Sequence, residues 1–307
     1  MTVTVVDGVL GLATLASLAL IVFVSDRRVQ VGSFLSFGVI ISLVWLRLGA
    51  LDVAFAEAAL GTGMLSAVLV WLAVRHPVAP AHSRDPDGPA APHWLKAGVG
   101  LLSGAVLTVI LGSLVLQARH LEPAWTTDVP RSMPEGVSHG ITGVLLAFRA
   151  YDTLLESAVL LFAGVIALVL NDNRIPAGPQ AELPPVAVWF VRMVAPVLLL
   201  LGLWLLFAGS SDSGGAFQSG SVLAALLILL QMAGVDMRRM HRLLRPALIV
   251  GVVVFIVAAA LGPVLGDAWL TWPETGAFAV ILLVEIALTI GITAGLYLLY
   301  LTLEVAP

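Results

Sequence analysis

The sequence predicts an all-α, polytopic integral membrane protein with about nine transmembrane helices. Three observations predict it. The chain is 60% hydrophobic and only 11% charged, with a mean hydropathy of +1.05. Such a chain cannot cover itself with polar surface in water, so lipid must cover much of it. Its apolar residues fall in long, continuous Leu/Ala/Val-rich runs, too long for tilted barrel strands of about ten residues. Its Lys and Arg residues alternate between successive loops, as the positive-inside rule requires.

A span needs about 20 mostly apolar residues. Candidates lie at 3–24, 29–48, 51–74, 94–117, 149–170, 186–208, 216–235, 247–264 and 277–301, with 29–48 and 247–264 the weakest. No basic residue precedes the first run, and Arg27 and Arg28 follow it, which reverses the flanks of a signal peptide. The first run therefore reads as a retained span. The stretch Ser138–Phe148 reads as an amphipathic helix lying at the interface, because joining it to the fifth span would overrun the bilayer.

One set of alternate loops holds Arg27, Arg28, Arg75, Arg84, Lys96, Arg174, Arg238, Arg239, Arg242 and Arg245, with Arg192 just inside a span on that side. The opposite side has Arg47, Arg119 and Arg131, and Arg149 stands near a span end. This bias predicts an N-terminus outside and a C-terminus in the cytoplasm, a parity that nine spans satisfy. Pro-rich stretches at 77–93 and 171–185 read as connectors on the cytoplasmic side. They divide the chain into a three-span unit (1–76), a two-span unit (94–170) and a four-span unit (186–307).

An ionisable group at membrane depth costs roughly 2.5–3.5 kcal/mol unless it is paired or hydrated. The acids inside the spans are therefore the most informative residues. Asp7 reads as a helix-end acid reaching the interface. Asp52 and Glu57 open the third span in LDVAFAEAALGTG, and on a regular helix they point about 140° apart. Glu57, set among Ala56, Ala58 and Ala59, is the better candidate for carrying a proton. The plainer reading is a structural hydrogen bond. Arg149, Asp152 and Glu156 are spaced three and four apart and share one helix face. That face permits either an ion network with a titratable member or a self-neutralising packing pair. Glu285 has no basic residue in its own span and needs a partner elsewhere or a proton.

Other features exclude chemistry. There is no cysteine, hence no disulfide, thiolate zinc site or iron–sulfur ligation by this chain. The six histidines lie in loops or at span ends without ligand spacing, so no metal is expected, and no cofactor site is legible. His139 alone reads as a candidate proton relay. The loop Ser210–Gly220, SSDSGGAFQSG, lacks the lysine of a phosphate loop and reads as a tight helix–helix turn. The run Met237–Arg245, MRRMHRLLR, carries enough charge for a nucleic-acid or lipid patch. Beside two spans it reads as an orientation signal touching anionic membrane lipids, so no nucleic-acid partner is expected.

Together these segments resemble the small membrane subunits of Mrp-type multisubunit cation/proton antiporters, which also occur in membrane-bound hydrogenases. Leu51–Gly63 is similar to the Asp-Val-Ala-x-x-Glu-Ala segment of the three-span hydrogenase D-type subunit. FRAYDTLLE, Phe148–Glu156, resembles the E-type signature and is the most specific of the matches. Val191–Gly220 resembles the antiporter B subunit, in which an Arg and a Pro lead into a span and a glycine-rich turn follows. Arg192, Pro196, Gly214, Gly215, Phe217 and Gly220 match, Ser213 replaces the turn proline and Ala216 a glycine. In the last span Glu285 stands in place of an Asp, with Ala287 for a glycine. The resemblance implies a fusion of D-type, E-type and B-type units, the first two also similar to the J subunit of complex I. That protein carries a π-bulge in its third helix, so a π-bulge near Gly61 or Gly63 would bring Glu57 round relative to Asp52.

The resemblance further implies a non-enzymatic subunit of a hetero-oligomer. Its partners are other antiporter-like membrane subunits, and its cargo is protons and a cation such as sodium. The implied path residues are Asp52, Glu57, His139, Arg149, Asp152, Glu156 and Glu285, with Gly214, Gly215, Phe217 and Gly220 at a subunit interface or turn. The same module also fits the membrane arm of a redox-driven, hydrogenase-like complex, or a driver of inorganic-carbon uptake.

Overall fold

A computed structural model describes residues 4–24, 26–65, 69, 93–118, 133–172, 174–175, 184–265, 267–273 and 275–302. The third span beyond residue 65, except position 69, lies outside the described residues. So do most of both Pro-rich connectors, the loop that holds Arg119 and Arg131, and the last five residues.

The described residues are helical, without a strand. In chain order they form α1 (Val5–Phe23), α2 (Arg27–Arg47), α3 (Leu51–Ala56) running into a π-helical segment (Glu57–Leu65), and α4 (His93–Ala118). A short α5 (Gly140–Gly143) runs into a second π-helical segment (Val144–Phe148). Then come α6 (Ala150–Leu170), α7 (Pro185–Ala208), α8 (Ala216–Met232), α9 (Arg238–Ala259), α10 (Leu261–Leu265) and α11 (Ala277–Thr302). Residues 1–75 and 133–307 make one compact unit, and residues 76–132, which hold α4, make another.

Among the described residues, six helical stretches are long and apolar enough to cross a membrane: α1, α2, α6, α7, Arg238–Leu265 (α9 with α10) and α11. The two weakest candidates, 29–48 and 247–264, both lie in this set, and the second belongs to its most apolar stretch. Of the other three, 216–235 corresponds to the 17-residue α8, 94–117 lies on α4, and 51–74 begins as α3. The chain is thus an all-α membrane protein.

Local chemistry explains the helix ends. Thr4 caps α1, with its amide and hydroxyl donating to Asp7 at 2.7 and 2.8 Å. Asp7 also accepts Arg47 Nε at 2.9 Å, so the first acid and the far end of α2 neutralise each other. Asp26 caps α2 by accepting from the Arg28 and Val29 amides. The short helix of 140–148 is set apart from α6 by a backbone break at Arg149, φ −126° and ψ 33°. The carbonyls beside the break find side-chain donors instead: Leu145 accepts the Thr153 hydroxyl and Leu146 the Trp272 indole, both at 2.6 Å.

Helix α11 is the axis of the large unit. It packs against α6, α8 and α9, and more lightly against α7. Gly251 lets α9 approach so closely that a Cβ there would stand 3.0 Å from the Ala287 carbonyl oxygen of α11. Two apolar clusters mark the two ends of this bundle. One joins Val137, Leu146, Phe255, Ile281 and Val284, and the other joins Leu168, Met237, Leu244, Tyr297 and Leu301. Arg238, Arg239 and Arg242 belong to the second end, where α9 begins and α11 finishes. The π-helical segment after α3 leans on α2, where Thr62 meets Gly38, and on α8.

Candidate functional site

At the first end of the bundle the loop between α7 and α8 folds into a cradle for one carboxylate. Gly214 cannot carry a side chain, because a Cβ there would collide with the Leu205 carbonyl oxygen, and Gly215 sits at φ +111°, which favours glycine. This geometry turns the loop amides and hydroxyl toward α3. Asp52 accepts the Ser213 hydroxyl at 3.2 Å and the Gly214 amide at 3.1 Å. His139 Nε2 lies 3.4 Å from the same carboxylate. Asp52 is 8% exposed, so its three neighbours do the work that water does for a surface acid. The preceding strap is fastened to the same loop: the amides of Ser138 and His139 both donate to the Ser210 carbonyl, and the Thr142 hydroxyl donates to that of Gly209.

Behind the cradle lies a cavity of about 340 Å³. Asp52, Glu156 and Glu285 line it, with Thr142, Ser157 and Phe217 between them. Three acids from three distant stretches of the chain thus face one space. Glu285 is 3% exposed, and its Oε2 has no hydrogen-bond partner among the described residues. Its Oε1 lies 3.2 Å from where a Cβ on Gly209 would stand and 3.4 Å from one on Gly215. The glycines of the loop therefore make room for the acid as well as for the turn. His139 Nδ1 and Thr289 Oγ1 are likewise buried without a partner among the described residues. The cavity's lining is mostly apolar, and its acids and the unpartnered Glu285 Oε2 give water a place to bind. No cluster among the described residues holds three potential metal ligands.

The remaining expected residues sit around this site differently. Glu57 does not line the cavity. It opens the first π-helical segment, and its carboxylate folds over Gly61, whose missing side chain leaves the space. That segment contains Gly61 and Gly63, where the resemblance to the J subunit raised a π-bulge that the sequence alone does not show. The second, at Val144–Phe148, had no signal in the sequence. Arg149 and Asp152 form an ion pair at 2.5 Å, exposed to 69% and 48%. Glu156 follows on the same helix and reaches the cavity without joining that pair. Gly220 seats α8 on α11, where a Cβ would meet Ile292 Cγ2 at 2.7 Å. Arg192 and Pro196 lie on exposed positions of α7.

Sequence reasoning missed the role of Ser213, which takes the place of the family's turn proline and supplies a hydroxyl to Asp52. It also missed the buried hydroxyls of α11 and the contact of His241 with Tyr297. The spacing of Thr289, Thr293 and Tyr297 at four-residue intervals was the available signal.

The fold and the site define a polytopic α-helical membrane protein built around an acid-lined internal cavity. Comparisons with known proteins narrow the class. Residues 12–78 match the MbhD family, the D-type subunit of MBH, and residues 186–301 match a domain related to the MnhB subunit of Na+/H+ antiporter. One polypeptide thus joins an MbhD-like segment to a domain related to MnhB. No curated protein gives a significant sequence match. Among solved structures the fold is similar to a chain of the Mrp complex from Dietzia sp. DQ12-45-1b, with a TM-score of 0.76 and 19% identity over 99% of this chain. The protein spans only 35% of that chain's length. It is also similar to a chain of the membrane-bound sulfane sulfur reductase (MBS), an archaeal respiratory membrane complex. There the TM-score is 0.54 and the identity 19%, over 68% of this chain and 97% of that one.

Proposed function

We propose that the chain is a subunit of an Mrp-like cation/proton antiporter complex in the prokaryotic cell membrane, and that its acid cavity is part of the ion path. The observation that carries this reading is the convergence of Asp52, Glu156 and Glu285 on one cavity, with Glu285 buried and unpartnered among the described residues. A structural spacer has no use for such groups, each of which costs free energy at membrane depth. In this reading His139 and the Ser213–Gly214 cradle hold the Asp52 carboxyl group in place at the mouth. Glu285 and Glu156 exchange protons with water in the cavity. Glu57 and the Arg149–Asp152 pair border the path and connect it to neighbouring subunits. Sodium is the cation that the antiporter relationship suggests, and the N-terminus is outside.

The experiment is cation-driven proton movement in membrane vesicles containing the whole complex. Glu285→Gln keeps the size and hydrogen bonding of the side chain but cannot ionise. It is expected to assemble and to lower coupled transport at least about tenfold, equivalent to about 1.4 kcal/mol in a rate barrier. Parent-like transport by an assembled Glu285→Gln complex across pH 6–9 would refute the reading.

A second reading follows from the likeness to a chain of a respiratory sulfur-reducing complex. The same cavity then couples redox chemistry in other subunits to ion pumping. Proteins co-purifying with the chain distinguish the two, because only the redox complex brings iron–sulfur proteins with it.

A further inference from the structure

Helix α11 carries polar residues at every fourth position across half of its length: Glu285, Thr289, Thr293 and Tyr297. Steps of four residues drift about 40° each, so the four side chains form one slowly winding row about 18 Å long. That is more than half the roughly 30 Å thickness of a hydrocarbon core. Tyr300 and Thr302 are the other hydroxyl-bearing residues of the helix, and Glu285, Thr289 and Tyr297 are at most 3% exposed.

The row runs between the two ends of the bundle. It starts at the cavity, where Glu285 Oε2 lacks a partner among the described residues, and the Thr289 hydroxyl one turn on lacks one too. Thr293 donates to the Thr289 carbonyl at 2.7 Å and lies 3.2 Å from the Gly220 carbonyl of α8. Gly220 is what lets the α8 backbone come this close. At the far end the Tyr297 hydroxyl donates to Gln231 Oε1 at 3.0 Å and lies 3.1 Å from His241 Nε2. His241 is half-buried and opens toward the arginine-bearing end. An apolar helix with the same packing would be cheaper, since each buried hydroxyl must be satisfied or cost free energy. Two unpartnered groups a turn apart leave places for water to complete the row.

We propose that this face of α11 is a proton-conducting column, running from Glu285 through Thr289, Thr293 and Tyr297 to His241. The inference rests on the proposed function, which assigns the cavity to an ion path, and it names the route by which protons reach the opposite side. Successive groups stand about 6 Å apart along the helix, so a water bridges each step: each hydroxyl oxygen accepts a proton from the water before it and releases its own hydrogen to the water after it. Glu285 gives up one proton at the cavity end, and His241 takes one up and passes it to bulk water. Rotation of the hydroxyls resets the row, and the reverse sequence carries protons the other way.

The test uses the whole complex in inverted membrane vesicles. Thr289→Val and Tyr297→Phe remove one hydroxyl each with little change of shape. Both are expected to assemble and to slow cation-driven proton movement about tenfold, while Thr289→Ser retains most of it. Thr302→Val removes a hydroxyl of the same helix that bonds to the Leu299 carbonyl and is expected to transport like the parent. Because the chain has no cysteine, Thr289→Cys and Thr293→Cys add an independent readout. Silver ions applied from the arginine-bearing side are expected to bind these thiols and stop transport, as in a hydrated row, whereas a dry helix interface leaves them untouched. Parent-like rates in Thr289→Val and Tyr297→Phe, or thiols inert to silver in assembled variants, would overturn the column. If Glu285→Gln abolishes transport in the same vesicles while those results are obtained, only the route is wrong. If Glu285→Gln is also silent, the cavity reading itself falls.

Discussion

Removing the Asp52 carboxylate tests the cradle most directly. Asp52→Ala leaves the Ser213 hydroxyl, the Gly214 amide and His139 Nε2 facing an empty, buried position. A buried group stripped of its partner costs about 1–3 kcal/mol. The three contacts, at 3.1–3.4 Å, lie at the long end of the normal range, so the lower figure applies to each. The loss then comes to about 3 kcal/mol. At about 2 °C per kcal/mol for a chain of this size, the thermal midpoint falls by about 6 °C. Asp52→Asn keeps one acceptor oxygen in place and is expected to lose about half as much. Intrinsic tryptophan fluorescence of the purified complex on heating reports the midpoint. An Asp52→Ala midpoint within about 1 °C of the parent would show that the loop holds its shape without the acid, and the cradle argument would fail.

Glu57→Gln is expected to leave the complex assembled and to lower coupled proton movement at least about tenfold in the vesicle assay, with Glu57→Asp partly active. Parent-like rates would make Glu57 a structural residue of the π-helical segment. Gly220→Ala forces a Cβ to within 2.7 Å of Ile292 Cγ2 and should cost about 1–3 kcal/mol by overpacking, read as faster protease cleavage of the α8 region. Single cysteines at Ser83 and Ala177 should resist membrane-impermeant thiol reagents added to the periplasmic face of sealed cells. Labelling of either position there would invert the proposed topology.

The membrane class and helical architecture were legible because lipid imposes long apolar runs and satisfied backbones. The acids were legible for the same reason: Asp52, Glu156 and Glu285 stand out where charge is expensive. Their meeting was not, because it depends on contacts across 161 and 162 residues of chain, such as Ser213 and Gly214 with Asp52. Nothing local in Ser210–Gly220 distinguishes a tight turn from a turn that holds a carboxylate. The third span shows a further limit. Its alanine neighbours single out Glu57 as the proton carrier, yet Asp52 and not Glu57 lines the cavity. The π-helical turns redirect the side chains of that span in a way that a regular 100° wheel does not follow. The second π-helical segment lies in VLLAF, which carries neither glycine nor proline to announce it.

The exposed Arg149–Asp152 pair bears on how the protein is made. Both side chains stand open on the flank of α6 in the isolated chain, and acyl tails make poor company for an ion pair. A newly inserted copy therefore carries a polar seam until another polypeptide seals it. Turnover of the chain made without its neighbours is therefore expected to be faster than in the whole complex, and pulse-chase labelling in the two settings checks it.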